Sequence, residues 1–492
     1  GHKVEFDALT GTWNVETPYA ASHLVSVTQQ WGTSRDGAQR LFELALNQQE
    51  PSVFDKCNDK PVPNTQETIA AREKQYELKE HFATWLWSDT VRAVKLAQAY
   101  NDQFNCYVPR RYNGEHLALP GMSEVYTLRT HQRDAVWRVV SSEFNTLLAH
   151  AVGAGKTLEM ICSAMELRRV GKASKPMIVV PNHLLLQIAG EFIRAYPHAN
   201  ILMASKEDLE GDRRKLITSR IATGDWDAVV LTHSSFERIA LSSEYMREFI
   251  QEELDRVEAV IRSRGSAAKS NRIVRQLARA KKTWEKKLKN LSGEDKKDDV
   301  LTFEDLGVDW LMYDEAHLAK NLYKFTKMER IAGLSNSNSE RAFDLFTKTR
   351  NIMQSRGDDL GVTLSTATPC ANSMGEIFTF QQFLQPQALR DARVENFDAW
   401  AANFGEAVTA LELSPDGRGY RTNVRFSRFV NVADLMRMFW AVADIRTAEM
   451  LDLPVPKANV ETIVAHPSAA VKADNDGRLA RAEKNRKAGV QS

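Results

Sequence analysis

The strongest indication of the fold of this chain is the stretch NTLLAHAVGAGKTLEM, residues 145–160. The apolar run NTLLAH, the glycine-bearing turn VGAG and an amphipathic segment beginning at Lys156 follow one another in the order strand, loop, helix. The pattern G-x-x-x-x-G-K-[ST] fits with Gly155, Lys156 and Thr157, while His150 takes the place of its first glycine. Because backbone N–H groups and the positive end of the dipole meet at a helix N-terminus, we predict a phosphate site at this loop.

Each residue of the loop has an expected role. The backbone should pass closest to the phosphates at Gly153 and Gly155. The Lys156 ammonium should pair with the β and γ phosphates of ATP, and the Thr157 hydroxyl should bind Mg²⁺. A chance glycine-rich turn is the alternative interpretation. The predicted nucleotide-binding loop consists of Gly153, Ala154, Gly155, Lys156, Thr157 and Leu158.

A second motif makes the chance interpretation much weaker. The segment VDWLMYDEAHLAKN, residues 308–321, has a hydrophobic strand that delivers Asp314 and Glu315 at its C-terminal end. Open α/β sheets build their sites at that end of their strands. We expect Asp314 to hold Mg²⁺ through water and Glu315 to orient or activate the attacking water. A lone D-E-A-H is common as a solvated acidic turn, but here it follows the phosphate-loop pattern in the correct order.

Length and composition limit the class of protein and the number of domains that this chain can form. With 492 residues, 43% hydrophobic and 26% charged, the chain is long enough for two or three soluble domains. It shows no run of eighteen apolar residues and no signal-peptide pattern, so we expect a cytoplasmic protein without a membrane partner. The four cysteines form no C-x-x-C pair, which argues against a zinc site or a disulfide framework. A net charge of +1 means that any contact with a polyanion must come from local patches.

The pattern along the chain predicts an α/β fold. Short β-branched runs such as PMIVVP, DAVVLT and GVTLSTATP alternate with helical segments, which favours a parallel sheet covered by helices. We expect a mainly helical N-terminal accessory region and a lobe that carries a basic helical insertion and a helical extension. The predicted boundaries are 1–115 for the accessory region, 116–465 for the lobe, 245–298 for the insertion, 373–450 for the extension and 466–492 for a polar tail.

The ordered motifs resemble the first RecA-like ATPase lobe of superfamily-two helicases, in the Swi/Snf-like DNA-translocase branch. That family reads L-A-D-E-M-G-L-G-K-T where this chain has LAHAVGAGKT, so a residue other than glycine at position 150 is normal there. The resemblance continues in LRTHQRDAVWRV, IVVPNHLLLQIAGEF, DAVVLTHSSF, DEAHLAKN and LSTATPCANSMGEIF, and in IRTAEMLDLPVPK before the expected second lobe. It covers roughly residues 116–465.

The resemblance implies further roles for individual residues. Gln132 would recognise adenine. Pro181, Asn182, Thr232 and Ser234 would lie along the tracked DNA strand. His317, Thr366 and Thr368 would couple the state of the γ-phosphate to the DNA contacts.

A narrower resemblance links the chain to large phage and plasmid proteins that join an adenine DNA methyltransferase to a Swi/Snf-like helicase, some of them antirestriction factors. The segments WGTSRDGAQRLFELALNQ, PRRYNGEHLALPGM and THSSFERI carry it. It implies a bacterial or phage-encoded protein. The implied partners are a second RecA-like lobe and a methyltransferase domain of the same larger protein. Residues 466–492 are then either a polar tail or the beginning of that second lobe. No [DN]-P-P-[YF] methylation motif occurs in these residues.

The stretch before the D-E-A-H strand predicts a helix with one packing face and one basic face. Apolar residues from Ile273 to Leu291 repeat at helical spacing, and MREFIQEELDRVEAVIR could form the antiparallel mate of this helix. The basic stripe could contact DNA phosphates, or it could simply be a solvated surface. Its cations are Arg272, Arg275, Arg279, Lys282, Lys286 and Lys289.

These observations favour a motor that uses ATP and Mg²⁺ and acts on double-stranded DNA. Two alternatives remain: a nucleotide-binding scaffold without turnover, and an RNA-remodelling helicase. In related phosphoryl-transfer enzymes an arginine stabilises the transferred group, and in this family the second lobe would supply it. We therefore expect the chain by itself to bind ATP but to hydrolyse it poorly.

Overall fold

The N-terminal region of the computed structural model combines helices with two small β-hairpins. Strand β1 (Lys3–Asp7) pairs antiparallel with β2 (Thr12–Glu16), and β3 (Phe54–Cys57) with β4 (Lys60–Pro63). The helices α1 (Ala38–Leu46), α2 (Thr65–Ser88) and α3 (Thr90–Tyr100) make the region mainly helical, as predicted. The structure describes residues 3–7, 12–16, 24–47, 49–57, 60–102, 108, 110–263, 282, 301–322, 331–332, 339–370, 373–413, 420–451, 459 and 461–487.

A parallel sheet of seven strands forms the centre of the lobe, which confirms the predicted α/β class. Its members are β5 (Thr146–His150), β6 (Pro176–Val180), β7 (Ile201–Ala204), β8 (Ala228–Thr232), β9 (Trp310–Tyr313), β11 (Val362–Ser365) and β14 (Ala443–Arg446). Their order across the sheet is β14-β5-β11-β9-β6-β8-β7, and every neighbouring pair is parallel.

Helices cover both faces of this sheet, so the central strands are buried on both sides. Successive residues of a strand enter opposite core clusters: Leu147 and Val179 pack on one face, Leu148 and Ile178 on the other. This explains why the strands read as continuous apolar runs. The helices are α4 (Thr130–Ser141), α5 (Lys156–Arg169), α6 (Leu185–Ala195), α7 (Asp212–Thr223), α8 (His233–Arg238), α9 (Ser243–Ser263), α10 (Glu340–Arg356) and α11 (Gly375–Leu384).

The expected helical extension over 373–450 needs a correction. Helices α12 (Pro386–Asp391) and α13 (Phe397–Phe404) lead into an antiparallel hairpin of β12 (Gly405–Leu413) and β13 (Tyr420–Phe429). The short β10 (Ile331–Ala332) pairs with β13. Helix α14 (Val432–Val442) then returns the chain to the central sheet at β14. The hairpin sequences AVTALEL and YRTNVRFSRF are rich in residues that favour strands, which accounts for the difference.

Of the predicted helical insertion, α9 is a helix as expected. Arg272, Arg275 and Arg279 lie outside the described residues, and Lys282 is exposed. Near the end of the chain, α15 (Ala448–Leu451) is followed by α16 (Ala469–Lys487), so the polar tail is largely helical. Within the described ranges, no helix combines the length and the apolar character needed to cross a membrane.

Candidate active site

The loop between β5 and α5 has the backbone shape that its glycines predict. Gly153 and Gly155 have φ angles of +84° and +90°, a left-handed conformation that side chains rarely adopt. Around Gly153 there is open space, whereas a Cβ on Gly155 would lie 2.3 Å from Gln132 Nε2. Helix α5 begins directly after Gly155, and the first amides of a helix have no partner within it. The loop therefore forms a cradle whose backbone conformation favours glycine at position 155.

Lys156 lies across this cradle. Its Nζ donates hydrogen bonds to the carbonyl oxygens of His150 at 2.9 Å and Ala151 at 3.3 Å. Thr157 and Leu158 follow it in the first turn of α5, both half-buried, and Leu158 packs against the core. The ammonium and the hydroxyl that the sequence assigned to phosphate and Mg²⁺ thus flank the same loop.

The start of α4 packs against the loop from the side. Gln132 accepts a hydrogen bond from the Arg129 amide at 2.9 Å, and its Nε2 donates to the carbonyl of Ala154 at 3.2 Å. His131 Nε2 lies 3.0 Å from the same carbonyl oxygen. Gln132, assigned to adenine by the resemblance, therefore also holds the loop. The contact of His131 was not predicted.

The acidic pair stands at the end of β9. Asp314 is 6% exposed. Burial and then the charge of Glu315 raise the pKa of Asp314, and the Lys156 ammonium is among the groups that oppose this shift. Glu315 adopts a left-handed backbone with φ +50°, uncommon for a residue with a side chain, and its side chain is about one third exposed. Asp314 is thus held inside while Glu315 reaches the solvent-facing side of the site.

His233, which the sequence analysis did not single out, supports this acidic pair. Its ring stacks on Tyr313 with 4.5 Å between the ring centres and 2° between the planes. Its Nε2 lies 3.0 Å from the Asp314 carbonyl oxygen, and since a carbonyl only accepts, Nε2–H donates. Burial lowers the pKa of His233 to about 4, so the ring is neutral at neutral pH. No local sequence pattern predicts this contact between His233 and the Asp314 carbonyl.

The three predicted coupling residues lie together. His317 Nδ1 is 3.0 Å from Glu315 Oε2 and 3.2 Å from Thr366 Oγ1. The Thr366 hydroxyl also accepts a hydrogen bond from the Thr368 amide at 3.1 Å. The Thr366 amide in turn donates to the Leu148 carbonyl of β5 at 3.1 Å. A continuous chain of contacts therefore joins Glu315 to the strand that carries the phosphate loop.

Of the residues assigned to DNA, two form an accessible pair. Asn182 Nδ2 donates to Ser234 Oγ at 2.7 Å, and the Ser234 amide lies 3.3 Å from Asn182 Oδ1. Pro181 is buried, and Thr232 is 2% exposed, with its hydroxyl accepting from the Ser235 amide at the start of α8. The Thr232 side chain therefore caps α8 and faces away from solvent, and its place along the tracked DNA strand stays a prediction.

The donor set suits Mg²⁺. Thr157 and Asp314 offer a hydroxyl and a carboxylate, the hard oxygen ligands that this ion prefers. Among the described residues, no group of three or more His, Cys, Asp or Glu side chains could hold a metal by itself.

Comparison with known proteins gives two matches to protein families. Residues 137–447 match a family described as "Probable helicase domain". Residues 1–106 match a family described as "Domain of unknown function (DUF8437)". The N-terminal region and the sheet-bearing lobe thus correspond to two different families.

Individual proteins share at most 30% of their residues with this chain over the matched stretches described here. "Defense against restriction protein B" of Escherichia phage P1 is 26% identical over 356 residues, 64% of this chain and 16% of that protein. "Uncharacterized ATP-dependent helicase MG018" of Mycoplasma genitalium is 30% identical over 121 residues, 24% of this chain and 11% of that protein. The solved "Sulfolobus solfataricus SWI2/SNF2 ATPase core in complex with dsDNA" covers 68% of this chain and 46% of its own, with 14% identity and a TM-score of 0.36. The chain therefore spans less than a fifth of the length of either curated relative.

Proposed function

Because the chain belongs to the family of probable helicase domains, we propose that it is the ATP-hydrolysing lobe of a motor that moves along double-stranded DNA. Family membership confirms the helicase domain that the ordered motifs predicted, and the match to a phage protein named for defense against restriction is in line with the narrower resemblance. The proposal goes further in assigning turnover, substrate and residue roles.

One observation carries the proposal: the phosphate loop, the acidic pair and the coupling residues meet at one edge of the sheet. Strands β5, β11 and β9 are adjacent, and their carboxyl ends lead into Lys156, Thr366 and Asp314. A scaffold that only held nucleotide would have no use for an accessible carboxylate at Glu315 joined to this edge through His317.

The division of labour follows from the environments of the side chains. Lys156 binds the phosphate oxygens, and Thr157 with the buried Asp314 holds Mg²⁺. Glu315, with more exposure, orients or activates the attacking water. Gln132 contacts the adenine base in this proposal, and its Nε2 also holds the phosphate loop through the carbonyl oxygens of Ala154 and Gly155.

Support for DNA comes from the other half of the sheet. Asn182 and Ser234 follow the neighbouring strands β6 and β8 and present polar groups at the same edge. His233, next to Ser234, donates to the backbone of Asp314, so the proposed DNA side and the acidic pair are in direct contact. Four cations of the basic stripe supply further phosphate contacts in this proposal: Arg272, Arg275, Arg279 and Lys282.

The proposed partners within a larger protein are a second RecA-like lobe and a methyltransferase domain. The large difference in length between this chain and its curated relatives supports this proposal. In related phosphoryl-transfer enzymes, an arginine provided from outside the nucleotide loop is worth about 10³–10⁵ in kcat. The second lobe would supply such an arginine here.

The test separates nucleotide binding from hydrolysis. We expect Lys156→Ala to remove most of the affinity for Mg-ATP in calorimetry, because the variant loses the cation that pairs with phosphate. Glu315→Gln should keep the affinity and lose turnover. Lys215→Ala, on the exposed face of α7, is the matched control. Equal affinity of Lys156→Ala and the unchanged chain would contradict the assignment.

The nucleic acid is identified by stimulation of ATP turnover in the presence of the second lobe. Duplex DNA should raise the rate, and RNA should not. Stimulation by RNA alone would support the RNA-remodelling alternative, and binding without turnover under every condition would support the scaffold.

A further inference from the structure

His150, at the entrance of the phosphate loop, is enclosed by two carboxylates. Its Nδ1 lies 3.0 Å from Glu159 Oε1, and its Nε2 lies 3.2 Å from Asp444 Oδ2. His150 and Glu159 are 0% exposed and Asp444 is 7% exposed. The three residues come from β5, α5 and β14, so the cluster joins both sides of the loop to the last strand of the sheet.

The two acidic neighbours favour a positive charge on this histidine. A neutral imidazole has one N–H, whereas here both ring nitrogens face oxygens of carboxylates, which only accept when they are ionised. Nδ1 is hydrogen-bonded to Glu159 and Nε2 is in ion-pair contact with Asp444, and this pair of acids favours the imidazolium form of the ring. Burial by itself would lower the pKa of His150, but the contacts with Asp444 and Glu159 outweigh it and raise the pKa to about 9. Such a charge is tolerated in the interior because it is paired on both sides.

The backbone makes a second connection at the same place. In the register of β5 and β14, His150 stands opposite Arg446, and the Ala151 amide donates to the Arg446 carbonyl at 2.9 Å. The His150 carbonyl accepts from Lys156 Nζ. One residue therefore contacts the lysine of the loop, the first turn of α5 and the strand from which the chain leaves the sheet.

Other charged groups surround the cluster. His131 Nε2 is 3.8 Å from Glu159, and Arg446 Nε is 3.3 Å from Asp444. The facing groups on α4, α5 and β14 are His131, Asp134, Arg138, Lys156 and Arg446. An acid at position 150 would add a third carboxylate beside Glu159 and Asp444, whereas His150 lies between them as a positive charge.

We propose that His150 is a positioning residue that ties the phosphate loop to β14 and transmits nucleotide binding to the segment after Arg446. The proposal rests on the proposed nucleotide site. A ligand that rigidifies the loop should also rigidify β14, because the buried cation joins them. Without the cation the loop can still bind phosphate, but its state no longer reaches the strand.

The experiment follows amide hydrogen exchange by mass spectrometry, with Mg-ADP as the probe at saturating concentration. In the unchanged chain and in His198→Gln, a histidine change at an exposed site, we expect slower exchange in peptides covering 145–160 and 443–451. In His150→Gln and in Asp444→Asn, only the loop peptide should slow. The affinity for Mg-ADP should fall on the order of tenfold, within the range typical of coupled sites.

The double variant His150→Gln/Asp444→Asn adds a test of coupling. It should lose less affinity than the product of the two single losses, since each change removes the same interaction. Full protection of 443–451 by Mg-ADP in either single variant would overturn the inference while leaving the nucleotide site intact. If both single variants fail to fold, the cluster serves stability alone and the inference is wrong. If the unchanged chain binds no Mg-ADP, the proposed function fails and this inference with it.

Discussion

The buried cation at His150 makes the stability of the lobe depend on pH in a window where few groups titrate. The pKa of this imidazole rises from 6.5 to about 9 on folding. A group whose folded pKa is raised contributes stability that is fully present below its unfolded pKa and is lost as the pH passes through the folded pKa. We therefore expect the contribution to be complete near pH 6.5 and absent above about pH 9.

The magnitude follows from the size of the shift. Each pKa unit corresponds to about 1.4 kcal/mol, so the protonated His150 contributes about 3 kcal/mol to the free energy of unfolding at the acid end of the window. No reduction for solvent screening is needed, because the side chain is 0% exposed. Burial itself raises the pKa of Asp444, but the contact with His150 lowers it overall, so this carboxylate stays ionised throughout the window.

The assay is urea unfolding at a series of pH values from about 6.5 to about 9.5, followed by tryptophan fluorescence, for the unchanged chain and for His150→Gln. The difference in free energy of unfolding between the two should shrink by about 3 kcal/mol across the series. His198→Gln should run parallel to the unchanged chain. Parallel profiles for His150→Gln and the unchanged chain would refute the assignment of a protonated, doubly paired imidazole.

Three further predictions concern the loop, the basic stripe and the arginine that the proposal assigns to a second lobe. Gly155→Ala should weaken Mg-ATP binding in calorimetry and lower the free energy of unfolding by about 1–3 kcal/mol in urea unfolding. The reason is that the left-handed backbone at position 155 strains alanine, whose Cβ would also meet Gln132. Reversing Arg275, Arg279 and Lys282 to Glu should weaken duplex binding about equally for all sequences and reduce its dependence on salt; an unchanged salt slope would indicate a solvated surface. Steady-state turnover of the chain alone should be slow and little stimulated by DNA, and should rise when the second lobe is added; robust turnover without it would place the required arginine within this chain.

The sequence was sufficient to predict those parts of the lobe whose structure depends on a few consecutive residues. Strands such as PMIVVP are buried on both faces, so they appear as unbroken apolar runs with clear ends. The loop needs left-handed backbone at Gly153 and Gly155, and glycine is the residue that permits it. Because each of these features depends on a few consecutive residues, the strand, loop and helix around Lys156 could be placed without a structure.

Features that depend on distant partners could not be found in this way. The strand ADIR, residues 443–446, is too short and too polar to be predicted from the sequence. It forms a strand because it pairs with β5. His233 looks like any histidine after a strand, and only the position of Asp314 gives it a role. The capping role of Thr232, by contrast, is visible in the sequence, because threonine before a short helix is a common N-cap.

The position of β14 in the sheet also sets the order in which the lobe can be completed during synthesis. Arg138, at the end of α4, donates to the carbonyl of Trp440, which lies 302 residues further along the chain. At about 5–20 residues per second, a ribosome needs roughly 15–60 seconds to make that length. During this time His150 and Glu159 have no Asp444. At first β5 lacks both of its neighbours in the sheet, and once β11 has been made it still lacks β14. The nascent lobe therefore presents an open strand edge next to its phosphate loop until the final strand emerges, a state in which protection by a chaperone would matter most.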